Sequence, residues 1–248
     1  MFLLLVGIMA YANFNIIDWH AISAGIESKA AWRQWQENNF TWPEGEKASV
    51  DKIPAMARRR MSSLSKLAVQ TALLLIEDQN VDYLVFASRH GELTRTSALL
   101  EDILTGNDAS PMAFSQSVHN TAAGLFTITA KQSIPVTSIA AGENTFHSAL
   151  IEASAYLYDN PSHRVLVVDF DEPLPSHYEI FEKKGYQGYA LGMILSAGED
   201  IRVEWCNKPS VSPEVLPHGL QCIANLVGSD EQWEVNSQST QWIWTYNK

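Results

Sequence analysis

One segment of the chain has the layout of a nucleophile turn but carries no nucleophile. Ser133 to Ile139 is a short apolar run that predicts a buried strand, and apolar residues recur at helical spacing from Thr145 to Asp159. Such a turn suits a reactive Cys or Ser, because the helix N-terminus presents unpaired N–H groups and a partial positive charge. Here Ile139 and Ala140 occupy its apex. Neither side chain can attack a carbonyl, which argues against acyl transfer through a covalent intermediate. On spacing alone, the simpler alternative is an ordinary turn of small residues.

Histidine and acidic side chains offer the other candidate chemistry. His90, His119 and His147 could act as acids or bases because histidine titrates near neutrality, although a lone histidine is more often a hydrogen-bonded structural residue. A Ser138/His119 pair leaves a hydrolase or acyltransferase open, but no Gly-x-Ser-x-Gly elbow is present. The acidic run Asp169 to Glu172 could hold a cation, and a strand end before a proline turn explains it more simply.

Composition limits the classes of function. The formal charge of −11, from 28 acidic and 17 basic residues, argues against nucleic-acid binding, which needs basic surface. Arg58, Arg59 and Arg60 form the one basic run, which is either a solvated helix entrance or a contact for an acidic carrier protein. The two cysteines lack metal-ligand spacing, so we predict no metal, no cofactor, no disulfide framework and a cytoplasmic location.

The N-terminus imitates a secretory signal without its basic flank. Phe2 to Ala12 is apolar, but no Lys or Arg precedes it and it is too short to span a bilayer. We predict no membrane association and divide the chain at 1–14, an apolar extension or first strand; 15–200, the main α/β unit; and 201–248, a Trp- and Pro-containing tail of extended pieces packed on the same domain.

Helical and strand patterns alternate along the main unit. This alternation predicts an α/β fold with α-β-α layers and a mostly parallel mixed sheet. The predicted helices are Ser62–Glu77, Thr94–Leu104, Ser115–Lys131 and Thr145–Asp159, and the predicted strands include Val81–Ala87, Arg164–Phe170 and Gly188–Ser196.

The motifs together resemble the N-terminal half of β-ketoacyl synthases, which have a thiolase fold. Thr137-Ser138-Ile139-Ala140-Ala141-Gly142 aligns without gaps on the family's Thr-Ala-Cys-Ala-Ser-Gly, so Ile139 takes the place of the nucleophilic Cys, or Ala140 does if the register slips by one. The resemblance covers roughly residues 15–196. Three further segments carry it: Arg59-Arg60-Met61-Ser62, Asn120 to Ile128 and Gly188 to Ser196.

Two departures from the family pattern bear on function. The Cys is absent, and the chain ends before a second half that would supply two catalytic histidines, so the resemblance implies a protein that cannot condense acyl groups alone. Such a chain most resembles the short chain-length-factor-like proteins of type II polyketide systems, particularly aryl polyene pathways. The segment Asp169 to Pro175 also resembles that short subfamily.

The resemblance implies a heterodimer with a complete, Cys-bearing ketosynthase, in which this chain shapes the acyl tunnel and an acyl carrier protein binds through the partner. In a thiolase-type dimer the strand before the turn pairs across the interface. A homodimeric acyl-binding module is a further alternative. The residues expected at the tunnel or interface are Phe114, Gln116, His119, Pro135, Thr137, Ser138, Ile139 and Phe146.

Overall fold

Eight α-helices and seven β-strands are assigned in a computed structural model that describes residues 9–182, 185–208 and 216–247. The strands are β1 (Ala10–Ser23), β2 (Tyr83–Ala87), β3 (Val136–Ile139), β4 (Arg164–Asp171), β5 (Tyr189–Asn207), β6 (Gln232–Asn236) and β7 (Thr240–Tyr246). The helices are α1 (Lys29–Glu37), α2 (Ala55–Arg58), α3 (Ser63–Ile76), α4 (Leu93–Leu104), α5 (Pro111–Ser115), α6 (Thr121–Ala130), α7 (Thr145–Asp159) and α8 (His218–Val227). Two 3₁₀ segments cover Gly142–Asn144 and Ser176–Phe181.

The strands form one mixed sheet. Its order is β3-β2-β4-β5-β7-β6, and β1 also pairs with β5. β2 is parallel to β3 and β4, while the pairings of β5 with β1, β4 and β7 and of β6 with β7 are antiparallel. The predicted layered α/β fold with a mixed sheet is confirmed, and its parallel part is the β3-β2-β4 unit. The carboxyl ends of these three strands meet at one edge of the sheet.

Helices cover both faces of the sheet. Alternate side chains of β4 point to opposite faces, and Val165, Leu166, Val167 and Val168 are all fully buried. One face packs against α7, α1 and α8, and the other packs against α3 and α6. The middle of β4 is therefore a continuous apolar run, which is typical of a strand buried on two faces.

Several predicted elements match the structure. α7 begins at Thr145 and ends at Asp159, as the periodicity predicts. α3 begins after Ser62, whose hydroxyl accepts a hydrogen bond from the amide of Ser65 at 2.8 Å, so the expected cap is present.

The predicted helix Ser115–Lys131 is wrong in its start, because the chain is helical there only from Thr121 to Ala130 and a separate helix, α5, precedes it. α5 ends at Ser115 and α6 begins at Thr121. Between them, hydroxyl groups take carbonyls that a continuous helix would use: Ser117 Oγ donates to the carbonyl of Phe114 at 2.9 Å, and Thr121 Oγ1 donates to that of Val118 at 2.7 Å. Side-chain bonds of this kind compete with the helical ladder.

The predictions for the two ends of the chain also need correction. The tail from residue 201 contains α8 and two sheet strands as well as extended pieces, and the expected divisions at residues 14 and 200 fall inside β1 and β5. β1 starts at Ala10, and residues 1–8 lie outside the described residues. None of the helices in the described ranges is long and apolar enough to cross a bilayer.

Candidate functional site

The strand-to-helix turn is present and lies at the carboxyl edge of the parallel strands. β3 ends at Ile139, a 3₁₀ segment starts at Gly142 with φ +59°, and α7 follows from Thr145. Thr145 Oγ1 accepts from the amide of Ala141 at 2.8 Å and donates to the carbonyl of Gly142 at 2.7 Å, so its hydroxyl fixes the turn. Ile139 is partly buried against the core and Ala140 is exposed. The turn therefore keeps its shape and presents hydrocarbon at its apex.

The C-terminal part of the chain covers the start of α7. Trp242 Nε1 donates to Asn144 Oδ1 at 2.9 Å, and the amide of Gln238 donates to Glu143 Oε2 at 3.0 Å. The ring of Trp242 also stacks on that of His147, with centroids 4.2 Å apart. Strand β7 and the turn before it thus occupy the helix face beside the turn.

His147 is a core histidine, and both of its ring nitrogens make hydrogen bonds. Trp244 Nε1 donates to its Nε2 at 3.0 Å, which assigns the proton of the neutral ring to Nδ1, 3.0 Å from His218 Nδ1. Burial holds the pKa of His147 well below its ordinary value, and the neighbouring His218 lowers it further. His147 is therefore neutral and engaged in packing the tail.

β3 forms an edge of the sheet, and this corrects the prediction of a buried strand at Ser133–Ile139. Only Val136 to Ile139 form the strand, Val136 is exposed, and the other three residues are half-buried. A strand at the edge of a sheet has a neighbouring strand on one side only, so its residues are less buried than those of a central strand. The position of β3 at the edge follows from the order of the strands in the sheet. This edge is the type of surface that pairs with another chain.

The register of β3 divides its backbone groups between two sides. Amides of β2 and of the loop after it donate to the carbonyls of Pro135 at 3.0 Å and Ile139 at 3.1 Å. In a parallel ladder alternate residues bond to the same neighbour, so Pro135, Thr137 and Ile139 face β2. Val136 and Ser138 therefore direct their N–H and C=O groups away from β2, to a side where the described residues place no strand.

A groove runs between β3 and α6. Its lining residues include His119, Ala123, Gly124, Val136 and Thr137. At Gly124 an added Cβ would meet nothing within 4 Å, so this helix face leaves room for a neighbouring backbone. Ile128, one turn further along α6, is exposed as well. The β3 edge is thus bordered by small and apolar side chains.

Three of the predicted residues lie on or just after α5. Phe114 is 64% exposed. Gln116 Oε1 accepts a hydrogen bond from Arg95 Nη1, and Arg95 also donates to the carbonyl of Arg60 at 3.2 Å. His119 Nε2 lies 2.7 Å from the carbonyl of Ser88, so that ring nitrogen is used in holding the loop after β2. Among the contacts of the described residues, Ser138 has no hydrogen bond to His119.

Phe146 does not lie with the other predicted residues. It is 2% exposed and its ring stacks on Trp244 with centroids 6.1 Å apart. The side chain packs in the chain's own core and also lines a small cavity beside the turn, so its role at a tunnel stays a prediction. The remaining predicted residues surround the β3 edge and α5.

A buried acidic pair behind the turn was missed by the sequence analysis, which took it for a strand end. Asp169 and Asp171 are both buried, and Tyr189 Oη donates to Asp169 Oδ2 at 2.7 Å. Asp171 accepts from Ser88 Oγ at 2.9 Å and from the amide of Arg89 at 3.0 Å. Two carboxylates two residues apart in a central strand share one face, and that spacing was the available signal.

Burial controls the protonation of this pair. Desolvation raises the pKa of Asp171 to about 7, although the hydrogen bonds to its carboxylate act in the opposite direction. Desolvation and the neighbouring Asp171 raise the pKa of Asp169 well above its ordinary value. An ion pair between Arg89 and Glu182 at 3.1 Å lies beside them. In the described ranges no three His, Cys, Asp or Glu side chains are grouped to hold a metal ion. Asp169 packs against Gly219 of α8, and Asp171 faces the loop after β2.

Comparison with known proteins gives one family match. A model of the N-terminal domain of β-ketoacyl synthases matches residues 32–245. No curated protein matches the chain.

Solved structures share the fold. A structure titled as a ketosynthase (ApeO) in complex with its chain length factor (ApeC) from Xenorhabdus doucetiae contains a chain 30% identical to this one, with a TM-score of 0.83 over 94% of this chain and 99% of that chain. The ishigamide ketosynthase/chain length factor is 17% identical, with a TM-score of 0.61 over 79% and 67% of the two chains. A β-ketoacyl synthase from Burkholderia phymatum STM815 is 12% identical, with a TM-score of 0.57 over 82% and 66%. At these lower identities the likeness is one of fold.

Proposed function

This chain belongs to the β-ketoacyl synthase N-terminal-domain family, with its thiolase-like fold, and on that premise we propose that it is a ketosynthase-like partner subunit in polyketide biosynthesis. In this role it forms a heterodimer with a complete, Cys-bearing ketosynthase and takes the place of a second synthase protomer. The 30% identical chain comes from a structure of a ketosynthase with its chain length factor, which supports this choice of partner.

The β3 edge is the observation that carries the proposal. Val136 and Ser138 present two N–H and two C=O groups to the outside, and each is a hydrogen-bonding group that a partner strand can satisfy. The edge lies next to the exposed Ile128 and to the open face at Gly124. A ketosynthase strand added here would extend the sheet across the interface.

The role we propose is architectural. Acyl transfer through this turn requires a nucleophile and a group that takes its proton, and Ile139 supplies neither. His119 and His147 use ring nitrogens in structural hydrogen bonds. Strand β7 and the turn before it cover the start of α7, so a catalytic group from another domain could not approach along that face without displacing them.

Phe114 and Gln116 are the side chains we propose to reach the partner's acyl tunnel. Phe114 projects from α5 into solvent, where a partner would bury it. Arg95 donates to the side-chain oxygen of the half-buried Gln116, and the NH₂ of that amide would be the donor offered to a partner. A bulky ring and an oriented amide at the wall of a tunnel would limit the length of the chain that fits.

The pathway and carrier belong to the same proposal. The acidic segment that begins at Asp169 resembles the short subfamily found with aryl polyene pathways, so we propose that the partner elongates a polyene chain. An acyl carrier protein would deliver the chain to the ketosynthase. Arg59 and Arg60 are exposed beside α2, where they could contact its acidic surface.

Co-expression with the ketosynthase encoded nearest to this chain tests the proposal. Size exclusion with light scattering should give the mass of a one-to-one complex, and the complex, but not this chain alone, should elongate an acyl thioester. A stable monomer that ignores the ketosynthase contradicts the proposal. Thioester hydrolysis by the chain alone, lost in Ser138→Ala or His119→Ala, would instead establish the hydrolase alternative.

A further inference from the structure

α5 is a short helix that the hydrophobic core does not hold. It spans Pro111–Ser115, and none of its residues is buried. Phe114 projects from it into solvent. A helix of this length is unstable by itself in water, because its few hydrogen bonds do not offset the cost of nucleation. Contacts from neighbouring parts of the chain must therefore fix the position of α5.

Two consecutive residues of α4 bind the segment that follows α5. Arg95 Nη1 donates to Gln116 Oε1. Thr96 Oγ1 donates to the carbonyl of Ser117 at 3.2 Å. A few residues later, the ring of His119 ties the same segment to the loop after β2. Polar contacts to α4 and to this loop therefore hold the chain where α5 ends.

The guanidinium group of Arg95 is itself fixed by partners from other segments. Its Nε lies 3.4 Å from Glu92 Oε2, and its Nη2 donates to the carbonyl of Arg60 at 3.2 Å. Glu92 is 3% exposed, and its Oε1 accepts from the hydroxyl of Ser62, the cap of α3, at 2.8 Å. A guanidinium group presents its N–H groups in one rigid plane, so acceptors on three segments leave it a single orientation.

This contact decides which end of the Gln116 amide faces Arg95. Arginine has donors and no acceptor, so the oxygen of Gln116, and not its NH₂ group, must turn towards the guanidinium. The opposite orientation would place donors against donors. The NH₂ group of this half-buried side chain is then the end offered to a partner.

We propose that Arg95 is a positioning residue for the acyl tunnel: it fixes the Gln116 amide and the end of α5, and thereby sets the length of chain that the ketosynthase complex makes. This inference rests on the proposed function, in which Phe114 and Gln116 reach the tunnel. In this role Arg95 acts through Gln116 and does not touch the acyl chain. Lysine cannot take its place, because a single ammonium group lacks the planar array of donors that serves three acceptors.

A double-mutant cycle in the ketosynthase complex tests the inference. Arg95→Lys keeps a charge beside Glu92 and loses the planar donors, Gln116→Ala removes the amide, and a third variant carries both substitutions. Each complex receives an acyl thioester and an excess of extender thioester, and mass spectrometry gives the product lengths. We expect each single substitution to change the ratio of the two most abundant lengths at least about twofold, and the double variant to match Gln116→Ala, because residues that act through one contact are not additive.

Two further variants separate positioning from folding. Arg202→Lys is the matched control with an unchanged product ratio, because Arg202 on β5 is also half-buried and pairs with Glu204 at 3.1 Å. If Arg95→Lys shows no thermal unfolding transition, Thr96→Val replaces it in the cycle. That substitution removes the hydroxyl that holds Ser117 and keeps the shape of the side chain, and it should shift the products in the same direction as Gln116→Ala.

Each other outcome contradicts a different claim. An unchanged product ratio in the α4 variant, or a double variant that shifts beyond Gln116→Ala, overturns this inference and leaves the partner role intact. If Gln116→Ala leaves the products unchanged in a complex that does elongate the thioester, the inference also fails, since Arg95 then has nothing to act through. Failure of the unsubstituted chain to form an active complex with the ketosynthase contradicts the proposed function itself.

Discussion

Proline substitution can separate the two sides of β3, because alternate amides serve different partners. Ser138→Pro removes an N–H that points away from β2, whereas Thr137→Pro removes one that bonds to β2. Proline is accepted in edge strands where its nitrogen faces outward. Ser138→Pro should therefore weaken the complex and spare the isolated chain, and Thr137→Pro should unfold the isolated chain at a lower temperature.

The expected magnitudes follow from the hydrogen bonds involved. In the complex, Ser138→Pro loses about 1 kcal/mol of net hydrogen bonding and leaves a partner carbonyl unpaired at about 1–3 kcal/mol. The sum, about 2–4 kcal/mol, corresponds to a dissociation constant roughly 30-fold to several hundred-fold higher. In the isolated chain Thr137→Pro loses the same free energy from the stability of the fold, which lowers the Tm by about 5–15 °C for a chain of this size. Ser138→Pro changes the Tm of the isolated chain by less than about 3 °C.

Two assays on three variants decide the matter. Differential scanning calorimetry of the isolated chain gives the Tm, and calorimetric titration with the ketosynthase gives the affinity. Ser138→Ala is the matched control, because it removes the hydroxyl and keeps the amide. If Ser138→Pro folds normally and binds as tightly as Ser138→Ala, the assignment of the outward amides to the partner is wrong.

Three further predictions concern the turn, the acidic pair and two glycines. Ile139→Cys should bind the ketosynthase but form no acyl-enzyme when incubated with an acyl thioester, as read by intact-protein mass spectrometry; acylation would contradict the architectural role. Because burial raises the pKa of both Asp169 and Asp171, the latter from 3.8 to about 7, the folded chain binds protons more tightly than the unfolded chain, and the resulting stabilisation is lost as pH rises from 4 to 7. Asp169→Asn should therefore gain Tm relative to the unsubstituted chain across that interval, and a constant difference would contradict the assignment. Gly219→Ala should lower the Tm, since the new Cβ would overlap the carboxylate of Asp169. Gly124→Ala should raise stability by about 0.5–1 kcal/mol, because Gly124 lies in a helix and its new Cβ would meet no other atom. Equal effects of the two substitutions in thermal unfolding would refute the packing at α8.

The sequence predicts best the elements whose determinants are local. The bounds of α7 follow from a periodic run of apolar residues, and the start of α3 follows from the cap at Ser62. The nucleophile-free turn could also be found, since its residues are contiguous. By contrast, the break between α5 and α6 depends on hydrogen bonds from the hydroxyl groups of Ser117 and Thr121 to nearby carbonyls. The spacing of apolar residues along the sequence does not predict these bonds.

Features formed by distant residues could not be predicted. The exposure of Val136 depends on β3 lying at the sheet edge, which is set by the order of all the strands. The burial of Phe146 depends on Trp244, and the hydrogen bonds of Asp171 come from the loop at Ser88, 83 residues earlier. The sequence does not show whether an apolar residue after a turn packs against its own chain or against a partner.

Residue-resolved amide hydrogen exchange on the isolated chain and on its complex with the ketosynthase tests the central claim most directly. In the isolated chain we expect fast exchange at Val136 and Ser138 and slow exchange at Thr137 and Ile139, because only the latter pair bonds to β2. In the complex all four amides should exchange slowly. A one-to-one complex in which Val136 and Ser138 still exchange as fast as in the free chain would contradict the claim that the β3 edge binds the ketosynthase.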